Sequence, residues 1–276
     1  NTTGYVIGIA SNANTLTFGG VTNNIVLNNI AAATINGSLG GSGNVVLTGG
    51  AFGGVVAGTL TLGGSATGLT GHTGSTTINN GMTMALSGNS QALVSTSGIT
   101  LNGGGITLTN TTSGEAALNR VNNAATITSN GGALTFTNTA SNSINYAETL
   151  GTVALTSGRL TITNTNANTS PSTQVLTLGG LTHTGTGNVS VVNFAGSSLG
   201  ANAQSQIQIT GQSATTASIA PWMMYNGADF AAYGTNGVIA ATTTALAATS
   251  SNAATDFATT GAVTVTSGTN PSYKTL

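Results

Sequence analysis

Short runs in which Leu, Ile or Val alternates with Thr or Ser, each closed by Gly or Asn, recur along the whole chain. They read NTLTFGG (14–20), NVVLTGG (44–50), GTLTLGG (58–64) and GITLNGG (98–104), then GITLTN (105–110), ALTFTN (133–138), RLTITN (159–164) and QVLTLGG (174–180). A period of two places apolar side chains on one face and hydroxyls on the other, which is the pattern of a half-buried strand. With 41 Gly and only three Pro, glycine and asparagine do the turning. No such strand buries its apolar face alone. Stacked as rungs, each covers its neighbour and a continuous core results. The unit recurs with a loose spacing of about twenty residues, within the range of solenoid repeats. The expected fold is all-β: a parallel β-solenoid with inward aliphatic stacks and outward Thr and Asn ladders. A β-sandwich, which also shows regular short strands, is the alternative.

Composition narrows the chemistry. Three Lys/Arg and four Asp/Glu are all the charge in 276 residues, where a globular domain normally carries about a quarter. At 39% hydrophobic and a net charge of −1 the chain is not of the disordered class. At 4% aromatic, its core must be narrow and aliphatic. The absence of Cys excludes disulfides, thiol nucleophiles and Cys-ligated zinc. Net charge near zero favours association over dispersal. Arg120, Arg159 and Lys274 cannot form the basic surface that nucleic acid requires. No run of eighteen apolar residues occurs, so no transmembrane helix and no membrane insertion by this chain is expected. The first residue is Asn1, and no stretch has the pattern of a signal peptide, so a mature product or one piece of a longer chain is expected.

Three parts are expected. Residues 1–218 form the solenoid shaft, 219–260 an aromatic and Ala/Thr-rich connecting or capping segment, and 261–276 a terminal strand available to another subunit. Breaks in the rung pattern are expected at Thr111–Ala125, which carries Glu115 and Arg120, at Asn164–Ser172, and at Ala220–Gly237. Glu, Lys and Arg are nearly missing, so helix is disfavoured; Ala241–Ala254 is the one stretch where a helical turn is expected.

GTLTLGGSATGLTGHTGSTTINNGMTMAL (58–86) resembles the autotransporter-associated β-strand repeat, also called the passenger-associated transport repeat. Gly58, Leu60 and Leu62 match its first part, Thr73, Gly74, Thr76 and Ile78 its second, and Gly81 with Met82 its third. His72 stands where the family has Tyr. A second segment, APWMMYNGADFAAYGTNGVIA (220–240), resembles stretches that punctuate very large bacterial surface proteins carrying these repeats, through Asp229, Phe230, Ala231, Tyr233, Asn236 and Gly237. The resemblance implies an extracellular or cell-surface β-helical passenger, structural or adhesive in role.

The titratable inventory offers little for catalysis. Glu115, Glu148, Asp229 and Asp256 are the only acids, and none lies in a catalytic motif; they read as turn or capping carboxylates, although a glycosidase would need two of them facing each other. Gly-Gly pairs are not followed by Asp in the calcium-solenoid pattern, and His72 and His183 lack ligand neighbours. No catalytic residue, metal site or cofactor is expected. The aromatics Trp222, Tyr225, Phe230 and Tyr233 are the best candidates for a subunit or glycan contact, weighed against a small local core that caps the shaft.

The leading expectation for function is a structural module of an extracellular bacterial fibre or surface assembly. It would self-associate head to tail, with the strand-like TGYVIGIA (3–10) and GAVTVTSG (261–268) as the joining edges. The alternatives are an adhesin recognising glycans or extracellular matrix and, after it, a polysaccharide-active β-helical enzyme.

Overall fold

The computed structural model describes residues 5–7, 15–27, 32–36, 38–49, 57–63, 71–87, 92–112, 115, 119–139, 143–167, 172–184, 190–245 and 256–258. Its first rung consists of β1 (Tyr5–Ile7), β2 (Thr15–Thr17) and β3 (Thr22–Leu27). The second consists of β4 (Ala32–Asn36), β5 (Ser38–Gly40) and β6 (Asn44–Gly49). Each strand of the second rung lies parallel to its counterpart in the first. The expected parallel β-solenoid is thus the fold, and it has three sides.

Two sides continue as long sheets. An 11-stranded sheet takes β1 and β4, then β7 (Gly58–Gly63), β9 (Met82–Ser87), β11 (Gly105–Asn110), β13 (Gly132–Asn138), β15 (Gly158–Asn166), β17 (Ser190–Ala195) and β19 (Met223–Tyr225), and ends on β20 (Asp229–Gly234) and β21 (Gly237–Ala240). An eight-stranded sheet takes β3 and β6, then β8 (Thr76–Asn79), β10 (Gly98–Asn102), β12 (Thr126–Ser129), β14 (Tyr146–Leu155), β16 (Gln174–His183) and β18 (Ser205–Ile209). The third side is slight: β2 on β5, and further along a parallel bridge between Leu93 and Val121.

All eight alternations read from the sequence are strands. The rung is longer than the spacing of about twenty residues read from them. Asn79 and Asn102, in matching positions of adjacent rungs, are 23 residues apart, and Asn102 and Asn130 are 28 apart. From β8 to β15 each turn holds two strands, a tight corner between them and a return leg, and the return legs vary in length.

The corners show why glycine is needed. Gly132, the first residue of β13 after the corner from β12, has φ 127, and a Cβ there would sit 2.0 Å from the Gly104 carbonyl oxygen of the rung below. Only a residue without a side chain lets successive corners stack at that distance.

Register carries the core. Along the larger sheet Leu60, Met84, Ile106, Leu134, Ile162 and Phe194 lie one above another, as do Ile35, Leu62, Leu86, Leu108 and Phe136. Along the other sheet Leu47, Ile78 and Leu101 continue to Ser129 and Leu155. These side chains are almost wholly buried, and each apolar one contributes on the order of 1.5–3 kcal/mol of transfer free energy. The outward positions are mostly threonine, as the alternation requires.

Three segments differ from the sequence reading. Within Thr111–Ala125, expected as a break in the rungs, Val121 bridges Leu93 and the Arg120 side chain is buried. Asn164 is strand, not loop, because β15 runs on to Asn166 and the Asn164 side chain finds partners inside. In Ala241–Ala254, Thr243–Ala245 is strand β22, paired in parallel with β23 (Asp256–Ala258); two β-branched threonines and a strand partner prevail over weak alanine helix propensity. Residues 246–254, the terminal strand of 261–276 and Lys274 lie outside the described residues, as do all of TGYVIGIA but Tyr5–Ile7.

Candidate functional site

Two places concentrate unusual side chains: the C-terminal end of the shaft and a charged centre inside it.

At the shaft's end the chain reverses. Strand β19 is followed by β20 and β21; β20 pairs antiparallel with β19, and β21 pairs antiparallel with β20. Asn226 and Gly227, at φ 50 and 70, make the first reversal. Gly237, at φ 85, makes the second, and a Cβ on it would meet the Ile207 carbonyl oxygen at 2.2 Å. The hairpin therefore lies directly on β18, the last strand of the smaller sheet. Its own Ala231, Ala232, Tyr233 and Val238 are buried.

The aromatics predicted as a contact site hold this cap together. The Tyr233 hydroxyl accepts the Ile209 N–H at 2.9 Å and donates to Gln208 Oε1 at 2.7 Å. One donor on the edge of β18 is thus satisfied without a further strand. The Tyr225 hydroxyl donates to the Leu199 carbonyl at 2.7 Å, and burial with nearby Asp229 pushes its pKa up. Phe230 is half-buried opposite Met224. Trp222 is half-buried and stacks on His183, with ring centroids 4.7 Å apart and planes 21° from parallel. His183 Nε2 lies 3.2 Å from the Ser190 carbonyl oxygen, as the donor.

The charged centre was not legible in the sequence as a pair. Arg120 enters from its return leg and is 1% exposed; Glu148, on β14, is 2% exposed. Arg120 Nε donates to Glu148 Oε2 at 3.2 Å. The Arg120 backbone N–H donates to Glu148 Oε1 at 3.0 Å. The guanidinium also donates to the Thr109 carbonyl and to Asn110 Oδ1, both at 2.9 Å, and lies over the Phe136 ring. Burial outweighs Arg120 and pushes the Glu148 carboxyl above its ordinary range. Glu148 is therefore a core residue rather than a turn carboxylate. Glu115 does cap a turn, accepting from the Thr111 and Thr112 backbone N–H groups and both hydroxyls. Asp229 is exposed at the start of β20.

A second internal polar cluster lies one rung on. Asn164 Nδ2 donates to the Gln174 and Gln206 carbonyls, and Gln174 Nε2 donates to the Phe136 carbonyl and to Asn164 Oδ1. The aliphatic column that ends on Phe136 thus continues as amide.

His72, also buried, has Nε2 at 3.3 Å from the Ser75 carbonyl and Nδ1 without a partner. Burial holds its pKa below 6.5. The unfolded chain takes up a proton there before the folded one does, so this residue's contribution is intact above pH 6.5 and is lost on acidification. Glu148, with its folded pKa raised above 4.5, works in the opposite sense, its contribution declining as pH rises through that window. Urea midpoints measured across the pH range for the wild type and His72→Tyr separate the two. The variant is expected to lose the fall in midpoint that begins near pH 6.5, and an unchanged profile would remove His72 as its cause.

Among the described residues no three of His, Asp or Glu gather in a way that would hold a metal ion, and no helix is long and apolar enough to cross a membrane. Fold and cap together define a β-solenoid protein in which an antiparallel hairpin follows the last described rung of the two long sheets. Comparison with protein-family models, with curated proteins and with solved structures finds no match.

Proposed function

We propose that the chain is a structural module of an extracellular bacterial fibre or surface assembly, joined end to end to further copies through β-edges. The inequality of the two ends carries this reading. The C-terminal end of the shaft is blunted by the β20–β21 hairpin. At the other end β1, β2 and β3 have no strand on their outer edges among the described residues. Leu16, Val21 and Val26, at 36%, 84% and 50% exposure, are the exposed large hydrophobics among the described residues, and all belong to this rung. An edge of this kind recruits a strand, and GAVTVTSG (261–268) of a second copy has the alternation to supply one. Contacts of this head-to-tail type build open filaments when their rotation does not close. The near-absence of charge leaves little repulsion between copies, and the resemblance of residues 58–86 to the autotransporter-associated repeat agrees with an extracellular place of work.

Sedimentation velocity tests this reading. The full chain is expected to associate as concentration rises. Deletion of 261–276, or the pair Val21→Lys and Val26→Lys, is expected to leave monomers with an unchanged far-UV spectrum. Association that survives both changes would contradict the edge-joining reading.

The adhesin reading is favoured by one observation, the half-buried Trp222 stacked on His183. Glycan binding there would shift Trp222 fluorescence, and Trp222→Ala would abolish the shift.

A further inference from the structure

The outer face of the larger sheet has a regularity that joining ends does not use. Thr107, Thr135 and Thr163 are direct neighbours across β11, β13 and β15, and so are Thr109, Thr137 and Thr165. The six form two adjacent columns. Thr59 and Thr61 on β7 and Thr83 on β9 extend the array, with the small residues Ala85, Gly105 and Ala133 between them. Every one of these threonines is partly exposed. None of their hydroxyls has a hydrogen-bond partner among the described residues, whereas Thr73, Thr96, Thr139, Thr156 and Thr184, off these columns, donate to backbone carbonyls.

Backbone pairing sets the spacing. Adjacent strands place these side chains about 4.8 Å apart along the shaft, and alternate residues place them about 6.6 Å apart along a strand. Threonine, branched at Cβ, holds its hydroxyl and methyl in few rotamers. The face is therefore a stiff two-dimensional lattice of hydroxyls and methyls. Arg159, at the start of β15, is the one charged residue in register with it among the described residues.

We propose that this face binds the surface of ice. The two repeats lie near the oxygen repeats of a prism face of hexagonal ice. Hydroxyls with no protein partner are free to join a water lattice, and methyls spaced between them fit its cages. The lack of charge matches a neutral lattice: an ammonium or carboxylate would hold its own hydration shell against it. A face already rigid in the folded protein loses little conformational entropy on binding. The smaller sheet has a single comparable column, Thr77, Thr100 and Thr128, ended by Ala154, and so offers a line rather than a lattice.

Thermal hysteresis and ice-crystal shape, measured on the full chain by nanolitre osmometry, test the proposal. The wild type is expected to facet growing crystals and depress their growth temperature. Thr135→Lys and Thr163→Lys, each placing a hydrated ammonium within the lattice, are expected to abolish both effects, while Thr128→Lys on the other sheet leaves them intact. Far-UV spectra and urea midpoints establish that all three variants fold. Absence of hysteresis in the wild type, or full activity in Thr135→Lys and Thr163→Lys, would overturn the proposal. So would binding to crystalline polysaccharide without any effect on ice.

Discussion

Glu148→Ala is expected to destabilise the protein by about 3–5 kcal/mol, the cost of leaving a buried charge without its partner. The Arg120 guanidinium would remain 1% exposed, facing a void where the carboxylate stood. The Arg120 and Val121 backbone N–H groups, which now donate to Glu148 Oε1, would lose their acceptor as well. Removing both charges is the informative comparison. Arg120→Met with Glu148→Leu fills the same space with apolar atoms, and buried ion pairs replaced in this way are often neutral in effect. Recovery here is expected to be partial, because the Thr109 carbonyl and Asn110 Oδ1 also lose the guanidinium. Urea unfolding of the two singles and the double gives the coupling directly. If Glu148→Ala unfolds at the wild-type midpoint, the pair does not anchor the return leg.

Phe136→Ala is the second large effect, about 3–5 kcal/mol. Phe136 is fully buried, stands at the end of an aliphatic column, and lies beneath Arg120. The loss is expected toward the upper end of that range for a geometric reason. Parallel ladders to β11 and β15 hold β13 in place on both sides, so that strand cannot shift freely into the vacancy. A small apolar gap already borders this ring, lined by Leu108, Val121, Leu134 and Leu150 among others. Phe136→Leu keeps most of the volume and is expected to cost less than about 1.5 kcal/mol. Equal midpoints for the Ala and Leu variants would mean that the core relaxes freely here.

The shaft was readable because its code is local. In GTLTLG (58–63) the alternation fixes which side chains turn inward, and strand β7 buries Leu60 and Leu62 as that pattern requires. What joins one rung to another was not readable. Arg120 and Glu148 are 28 residues apart, a separation that acquires meaning only when the length of the return legs is known. Asn164 and Gln174 escaped for the same reason: in RLTITN (159–164) the last residue looks like a turn, and only the neighbouring rungs reveal its carbonyl partners. The aromatic segment was legible as distinct. Its hairpin follows from Asn-Gly at 226–227 and 236–237, but its docking on β18 depends on Gly237 meeting Ile207, a contact no local pattern encodes.

Electron microscopy of the purified full chain over a concentration series tests whether copies join end to end. Rods of constant width whose length grows with concentration are predicted, since edge joining extends the solenoid along its own axis. Single particles of one length at every concentration, or aggregates that widen instead of lengthening, would contradict it.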